Sequence, residues 1–135
     1  MAKPQRDEAL RVGTGITGLD EILGGGLPSR RLHLVQGPPG AGKTTLALQF
    51  LLEGLRRGER CLYISLSESR EELVSVAASH GWDITALSVF ESASAAPEDE
   101  NTLFESSEVE LGERMDAILA EVDRVEPARL VIDSS

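Results

Sequence analysis

A segment in the first third of the chain has the spacing of a phosphate-binding loop. Gly37 is followed, after four residues, by Gly42, Lys43 and Thr44, which is the Gly-x-x-x-x-Gly-Lys-Thr pattern. Glycines let the backbone turn with positive φ, so that successive N–H groups point at phosphate oxygens. Lys43 brings a positive charge to the β- and γ-phosphates, and the Thr44 hydroxyl can ligate Mg²⁺. The alternative is a Gly/Pro turn before an ordinary helix, but the strand predicted before the segment and the helix predicted after it favour a phosphate loop.

Further along the chain, an apolar strand ends in an acid. Residues 129–133 read Arg-Leu-Val-Ile-Asp, and such a strand downstream of a phosphate loop supplies the carboxylate that holds Mg²⁺. The alternative is an acid that merely ends a strand, and the presence of the loop makes this alternative less favoured. We therefore predict Thr44 and Asp133 as the metal ligands and the loop as the binding site for ATP. The predicted ATP-binding residues are Gly37, Pro38, Pro39, Gly40, Ala41, Gly42, Lys43, Thr44 and Thr45.

A second carboxylate, Glu68, follows the predicted strand at 60–66. Open α/β sheets bind ligands at the carboxyl ends of their strands, so Glu68 would face the γ-phosphate and orient or deprotonate an attacking water. The structural alternative is an acid that complements the dipole of the helix at 70–80. Position alone leaves both interpretations open. We predict Glu68 and Lys43 as the catalytic residues.

The hydrophobic pattern predicts the elements that position these side chains. Residues 31–35 are predicted as a short buried strand that enters the loop, with His33 packing or hydrogen-bonding within the sheet. Strand, helix and strand in succession predict a βαβ unit, and therefore an α/β class with a parallel sheet. The other predicted elements are a short helix capped by Thr17 and ended by glycines 24–26, helices at 44–57, 70–80 (capping box Ser69 and Glu72) and 107–125 (capping box Ser107 and Glu110), strands at 60–66, 87–90 and 129–133, and a surface loop at 91–107.

The composition limits the kinds of partner. The chain has 135 residues and a net charge of −10, and residues 91–126 hold 12 acidic residues against two arginines. This negative charge argues against a surface that binds a nucleic-acid backbone. No apolar run approaches the length of a membrane span, and one cysteine, Cys61, cannot form an internal disulfide. We expect a cytoplasmic protein with no membrane partner and no nucleic-acid partner for the visible chain.

With both motifs placed, the chain resembles the KaiC family within the RecA-like ATPases. The resemblance implies a RecA-like P-loop NTPase core, ATP and Mg²⁺ as ligands, ATPase activity and assembly into a hexameric ring. Some members carry two such domains and autophosphorylate, and one belongs to a circadian oscillator. Residues 1–13 are expected to be a flexible lead-in, and residues 14–135 the N-terminal portion of the ATPase domain. The segments that carry the resemblance are TGITGLD at 14–20, GGGLP at 24–28, GPPGAGKTT at 37–45, EVEL at 108–111 and LVIDS at 130–134.

Some features depart from the family pattern. Members commonly have paired glutamates after the second strand, and the matching residues here are Ser67 and Glu68. If the lost glutamate was the base, hydrolysis is expected to be slow or absent. Arg30 stands where a glycine is usual, which we interpret as a tolerated turn change. RecA-like sheets insert a further strand beside the one that ends at Asp133 (the Walker B strand). Because the sequence stops two residues later, we expect a sheet truncated after this strand and a fragment of a longer chain.

These observations leave several functions to compare. The first is an ATPase, with Lys43 on the phosphates, Thr44 and Asp133 on Mg²⁺, and Glu68 positioning water. The second is a nucleotide-gated assembly or signalling module with little or no turnover, which Ser67 favours. The third, a DNA recombination or repair ATPase, needs basic loops that lie outside the visible chain. A small-molecule P-loop kinase is disfavoured by the long segment before the loop.

Overall fold

The computed structural model describes residues 10–92 and 103–134. Within these ranges, three parallel strands form a sheet that is covered by helices on both faces, and two short strands form an antiparallel pair. This architecture confirms the predicted α/β class with a parallel sheet. The elements in chain order are β1 (Arg11–Val12), α1 (Thr17–Ile22), β2 (Leu27–Pro28), α2 (Lys43–Arg56), β3 (Cys61–Ser65), α3 (Arg70–Ser79), β4 (Ser88–Glu91), α4 (Leu103–Val125) and β5 (Arg129–Asp133).

The parallel sheet has the strand order β4–β3–β5. The successions β3–α3–β4 and β4–α4–β5 supply the helical crossovers that parallel strands require. In the β3–β5 ladder, Cys61 lies opposite Arg129 and Ser65 lies opposite Asp133. The carboxyl ends of β3 and β5 therefore meet at one edge of the sheet, and Glu68 follows β3 at that same edge.

The central strand β3 is buried along its whole length. On one face, Cys61 and Tyr63 pack with side chains of α2 and α3, among them Leu48 and Leu73. The alternate residues of β3, Leu62 and Ile64, face the other side of the sheet. There they pack against α4, where Ile118 is their buried partner. Burial on both faces explains why the strand reads as a nearly continuous apolar run.

The strand predicted at residues 31–35 is wrong. These residues form no strand, and the side chains of Leu32 and Leu34 are 97% and 80% exposed. A strand exists only through its hydrogen bonds to a neighbour, and no strand in the described ranges pairs with this segment. His33 lies outside the parallel sheet: its exposed Nε2 is 2.9 Å from the carbonyl oxygen of Pro28 in the short strand β2. The predicted βαβ unit around the loop is replaced by the crossover β3–α3–β4.

Two of the three predicted helix caps need correction. Thr17 is the first residue of α1 and not its cap, because Ile16 takes the cap position without a side-chain hydrogen bond. The predicted start at Ser107 also fails, since α4 begins at Leu103. The capping box of Ser69 and Glu72 is confirmed at α3, with both hydrogen bonds formed. Residues 93–102 of the predicted surface loop and residues 1–9 of the predicted lead-in lie outside the described residues.

The segment before α1 is organised by Asp20. Its carboxylate accepts hydrogen bonds from the Thr14 hydroxyl at 2.7 Å and from the Thr14 and Gly15 amides, while the Thr14 hydroxyl accepts from the Ile16 amide at 3.1 Å. Burial would raise the pKa of Asp20, but these hydrogen bonds hold it below its usual value. Residues 14–16 therefore form a hydrogen-bonded turn that leads into α1, and Gly15 packs against the Glu53 side chain of α2.

A buried arginine that the sequence analysis did not single out joins this turn to the sheet. Arg129 is 3% exposed. One of its terminal nitrogens donates to the carbonyl oxygens of Gly13 at 2.7 Å and Phe50 at 2.8 Å, and its Nε donates to Glu59 at 2.8 Å. The guanidinium also lies 4.7 Å from the centre of the Phe50 ring. Arg129 thus ties β5 to α2 and to the N-terminal turn.

None of the helices within the described ranges is long and apolar enough to cross a bilayer.

Candidate nucleotide-binding site

The phosphate loop turns at two glycines and leads directly into α2. Gly40 and Gly42 have φ of 83° and 99°, a conformation that favours glycine over other residues. Gly42 is the N-cap of α2 and provides no side-chain hydrogen bond to it. The first N–H groups of a helix have no partner within the helix. Gly42 and the first residues of α2 line the cavity in front of the loop, which is where an anion-binding helix N-terminus would hold its ligand.

Lys43 is folded back over its own loop. Its Nζ donates to the carbonyl oxygen of Gly37 at 2.5 Å and lies 3.5 Å from that of Pro38. The Ala41 amide donates a hydrogen bond to the same Pro38 oxygen at 3.1 Å. The ammonium group is therefore held at the mouth of the loop by neutral acceptors. An anionic phosphate oxygen is a stronger acceptor than a carbonyl and would displace them.

The side chains predicted as metal ligands meet in the structure. Thr44 Oγ1 donates to Asp133 Oδ2 at 3.3 Å, although the two residues are 89 positions apart in the chain. Thr44 is in the first turn of α2, and Asp133 is the last residue of β5. Folding α2 onto the sheet is what brings the two oxygens together.

Tyr63 joins this pair and was missed by the sequence analysis. Its hydroxyl also donates to Asp133 Oδ2, and its side chain is completely buried in the sheet. Burial raises the pKa of the Tyr63 phenol, and the hydrogen bond to Asp133 raises it further. The phenol therefore stays protonated at neutral pH and donates a hydrogen bond. The signal in the sequence was its position in β3, two residues before the carboxyl end of the strand.

Glu68 lines the same cavity as the loop. The cavity has a volume of about 370 Å³. Glu68 Oε1 is buried and has no hydrogen-bond partner within the described residues. Burial raises the pKa of Glu68, and the nearby Asp133 and Glu72 carboxylates raise it further. The lining residues are Pro39, Gly40, Gly42, Lys43, Thr44, Thr45 and Glu68.

The backbone of Glu68 is fixed by β3. Ser65 Oγ accepts from the Glu68 amide at 2.9 Å and donates to the Glu68 carbonyl oxygen at 2.5 Å. Ser69 and Glu72, not Glu68, form the capping box of α3. Ser67, the residue that stands in place of a second glutamate, is exposed at the surface.

A ring pair at the other end of the loop was also missed. His80 stacks on Trp82 with 4.5 Å between ring centres, and His80 Nε2 lies 3.5 Å from Thr45 Oγ1. The two aromatic residues flank Gly81, whose positive φ of 77° turns the chain after α3. Nothing in the sequence placed this turn beside the phosphate loop.

The oxygen donors fit Mg²⁺ held jointly with phosphate. Within the described ranges, no group of three His, Cys, Asp or Glu side chains is arranged to hold a metal ion. Mg²⁺ usually binds through one or two protein oxygens together with substrate phosphates and water. The Thr44 hydroxyl and the Asp133 carboxylate offer this kind of incomplete set, placed beside the loop.

Comparison with known proteins agrees with the geometry. A family model described as "ATPase: KaiC" matches residues 12–135. The chain belongs to the KaiC family of ATPase domains. This membership confirms the resemblance and the RecA-like class of the fold.

Curated relatives show how much of a protein the match covers. The chain is 47% identical over 74 residues to a UPF0273 protein of Pyrococcus horikoshii, which covers 55% of the chain and 30% of that relative. It is 34% identical over 139 residues to the circadian clock protein KaiC3 of Synechocystis, which covers 99% of the chain and 27% of that relative. The circadian clock oscillator protein KaiC of Picosynechococcus is 45% identical over 78 residues, or 57% of the chain and 15% of that relative. The chain therefore spans about 30% or less of the length of these relatives.

Proposed function

We propose that this KaiC-family domain binds ATP with Mg²⁺ and hydrolyses it. The observation that carries the proposal is the meeting of Thr44 and Asp133 at 3.3 Å beside a phosphate loop. Glu68 lines the cavity in front of the loop. The phosphate loop, the Thr44 hydroxyl and the Glu68 carboxylate thus line one cavity, and Asp133 contacts Thr44 beside it.

The loop and the two oxygen ligands have separate roles in binding ATP and Mg²⁺. The loop amides and the Lys43 ammonium bind the phosphate oxygens and place the γ-phosphate towards the edge of the sheet. The Thr44 hydroxyl and the Asp133 carboxylate would hold Mg²⁺, which when bound neutralises charge on the β- and γ-phosphates.

Glu68 orients the attacking water and accepts its proton. Its raised pKa supports this role, because a general base works best when its pKa approaches the operating pH. The capping of α3 by Ser69 and Glu72 weakens the alternative in which Glu68 serves the helix.

The substitution Lys43→Ala tests the binding site. It removes a charge-assisted hydrogen bond worth about 1.5–3 kcal/mol, which is about 10- to 150-fold in affinity. Calorimetric titration with ATP and Mg²⁺ measures this loss. Lys3→Ala is the control, since Lys3 is the other lysine of the chain and should bind ATP like the wild type. Equal affinities of Lys43→Ala and wild type would refute the site.

A second candidate function is a nucleotide-gated assembly module with little turnover. Ser67 favours it, because its hydroxyl stays protonated near neutral pH and cannot replace a glutamate as base. The two functions share the binding site and differ in turnover: release of phosphate by the wild type supports the ATPase, and tight ATP binding without release supports the module. Assembly into a hexameric ring is part of both proposals, and a cytoplasmic location stays a prediction.

A further inference from the structure

A buried tyrosine reaches the carboxylate that the proposed function assigns to Mg²⁺. Tyr63 lies in the middle of β3 and its side chain has no exposed surface. Its hydroxyl donates to Asp133 Oδ2, and the hydroxyl of Thr44 donates to the same oxygen at 3.3 Å. Two hydroxyl groups from different elements, β3 and α2, thus converge on one carboxylate oxygen.

The strand register explains why Tyr63 reaches this oxygen. Tyr63 pairs with Val131, and Asp133 lies two residues further along β5. Side chains two apart on a strand share a face, so Tyr63 and Asp133 are diagonal neighbours on the face that α2 covers. The hydrogen bond from the Tyr63 hydroxyl to Asp133 Oδ2 spans this diagonal. Leu62 and Ile64 point to the opposite face, where they pack against α4.

Packing alone does not account for the hydroxyl. Tyr63 belongs to a largely apolar core cluster that includes Leu48, Leu51 and Leu73, and phenylalanine would fill the same space. A buried hydroxyl costs free energy unless it is hydrogen-bonded. In this structure its partner is the acid at the end of β5, beside the first turn of α2.

We propose that Tyr63 is a positioning residue, which holds the Asp133 carboxylate in the orientation that Mg²⁺ binding requires. The inference rests on the proposed function, since it concerns the same site. Partners that hydrogen-bond to metal-binding side chains orient those side chains, and their loss typically lowers metal affinity by about 10- to 100-fold. The role is therefore specific to the metal-bound nucleotide and not to the nucleotide alone.

The substitution Tyr63→Phe removes the hydroxyl and keeps the ring. ATP affinity is measured by calorimetry with EDTA and across a series of Mg²⁺ concentrations. We expect the Mg²⁺ concentration for half-maximal enhancement of ATP binding to rise by about 10- to 100-fold. Affinity in EDTA should equal that of the wild type.

The matched control is Thr14→Val. Like Tyr63, Thr14 is a buried hydroxyl residue that donates to an aspartate, in this case Asp20. It belongs to the turn that packs against Glu53, far along α2 from the loop. Thr14→Val should lower the melting temperature without changing the Mg²⁺ dependence.

A second measurement needs no substitution. Tyr63 is the one tyrosine of the sequence, so protein grown with 3-fluorotyrosine has a single ¹⁹F resonance from this ring. That resonance should shift when Mg²⁺ is added to the ATP-saturated protein. A wild-type Mg²⁺ dependence that survives Tyr63→Phe, or a resonance that Mg²⁺ does not move, overturns the inference. Absence of ATP binding by the wild type overturns the proposed function instead.

Discussion

The glycine in the second half of α2 offers the sharpest test of how the site is supported. A Cβ atom added at Gly54 would lie 2.5 Å from Cys61 Sγ and 2.6 Å from Arg129 Cδ. Both neighbours are buried, at 3% exposure each, and Arg129 is held by hydrogen bonds to Gly13, Phe50 and Glu59. Gly54→Ala must therefore displace the Cys61 and Arg129 side chains or the helix itself.

The expected magnitude follows from three opposing contributions. Alanine is favoured over glycine inside a helix by about 1 kcal/mol. Overpacking of a buried site costs about 1–3 kcal/mol, and displacing Arg129 from one of its charged hydrogen bonds costs about 1.5–3 kcal/mol. The packing and hydrogen-bond losses exceed the helical gain, so Gly54→Ala should lower the free energy of unfolding by about 1.5–5 kcal/mol.

Gly112 provides the matched control. It lies inside α4, where an added Cβ would have no atom within 4 Å, so Gly112→Ala should raise the free energy of unfolding by about 0.5–1 kcal/mol. Urea unfolding followed by fluorescence measures both variants, because Trp82 is the single tryptophan of the chain and packs against the core cluster that contains Cys61. The reasoning is refuted if Gly54→Ala is at least as stable as the wild type.

Three further predictions follow from individual groups. Glu68→Gln should lower ATP turnover by about 10²- to 10⁴-fold with little change in ATP affinity, whereas Glu71→Gln, an acid in the first turn of α3 that does not line the cavity, should keep normal turnover; equal turnover of both variants would make Glu68 structural. Hydrogen bonds from Arg56 and Arg57 lower the pKa of Glu53 to about 2; because the folded pKa is depressed, the stabilisation is complete above the unfolded pKa near 4.5 and is lost as pH falls towards 2. Acid unfolding curves should therefore be shallower for Glu53→Gln between these pH values, and superimposable curves would contradict this. Burial raises the pKa of the Cys61 thiol to about 11, so a thiol reagent at pH 8 should modify it only in urea, and rapid labelling of the folded protein would count against that burial.

The sequence by itself predicts the features that depend on local chemistry. The loop at 37–45 is predicted as a phosphate cradle because the order of its glycines, lysine and threonine is what such a cradle needs. The strand at Arg129–Asp133 and the capping box of Ser69 and Glu72 were predicted at the observed residues, because an apolar run that ends in an acid, and a serine three residues before a glutamate, are local signals.

Tertiary structure decided everything that depends on a partner distant in sequence. Residues 31–35 have the pattern of a strand, but a strand needs a hydrogen-bonded neighbour and the described residues supply none. The capping threonine expected at residue 17 gave way to a turn built by Thr14 and Asp20, whose hydrogen bonds join residues up to six positions apart.

The same principle explains the groups that sequence reasoning missed. Tyr63 acquires its partner only when the β3–β5 register sets it diagonal to Asp133, 70 residues away. Arg129 reads as the polar start of an apolar strand, and its burial depends on carbonyl groups of Gly13 and Phe50 that only the packed fold brings to it. The local sequence determines what chemistry a side chain can perform. Burial, strand register and hydrogen-bond partners arise only when separate elements pack. The strength of a hydrogen bond or a charge interaction depends on those surroundings.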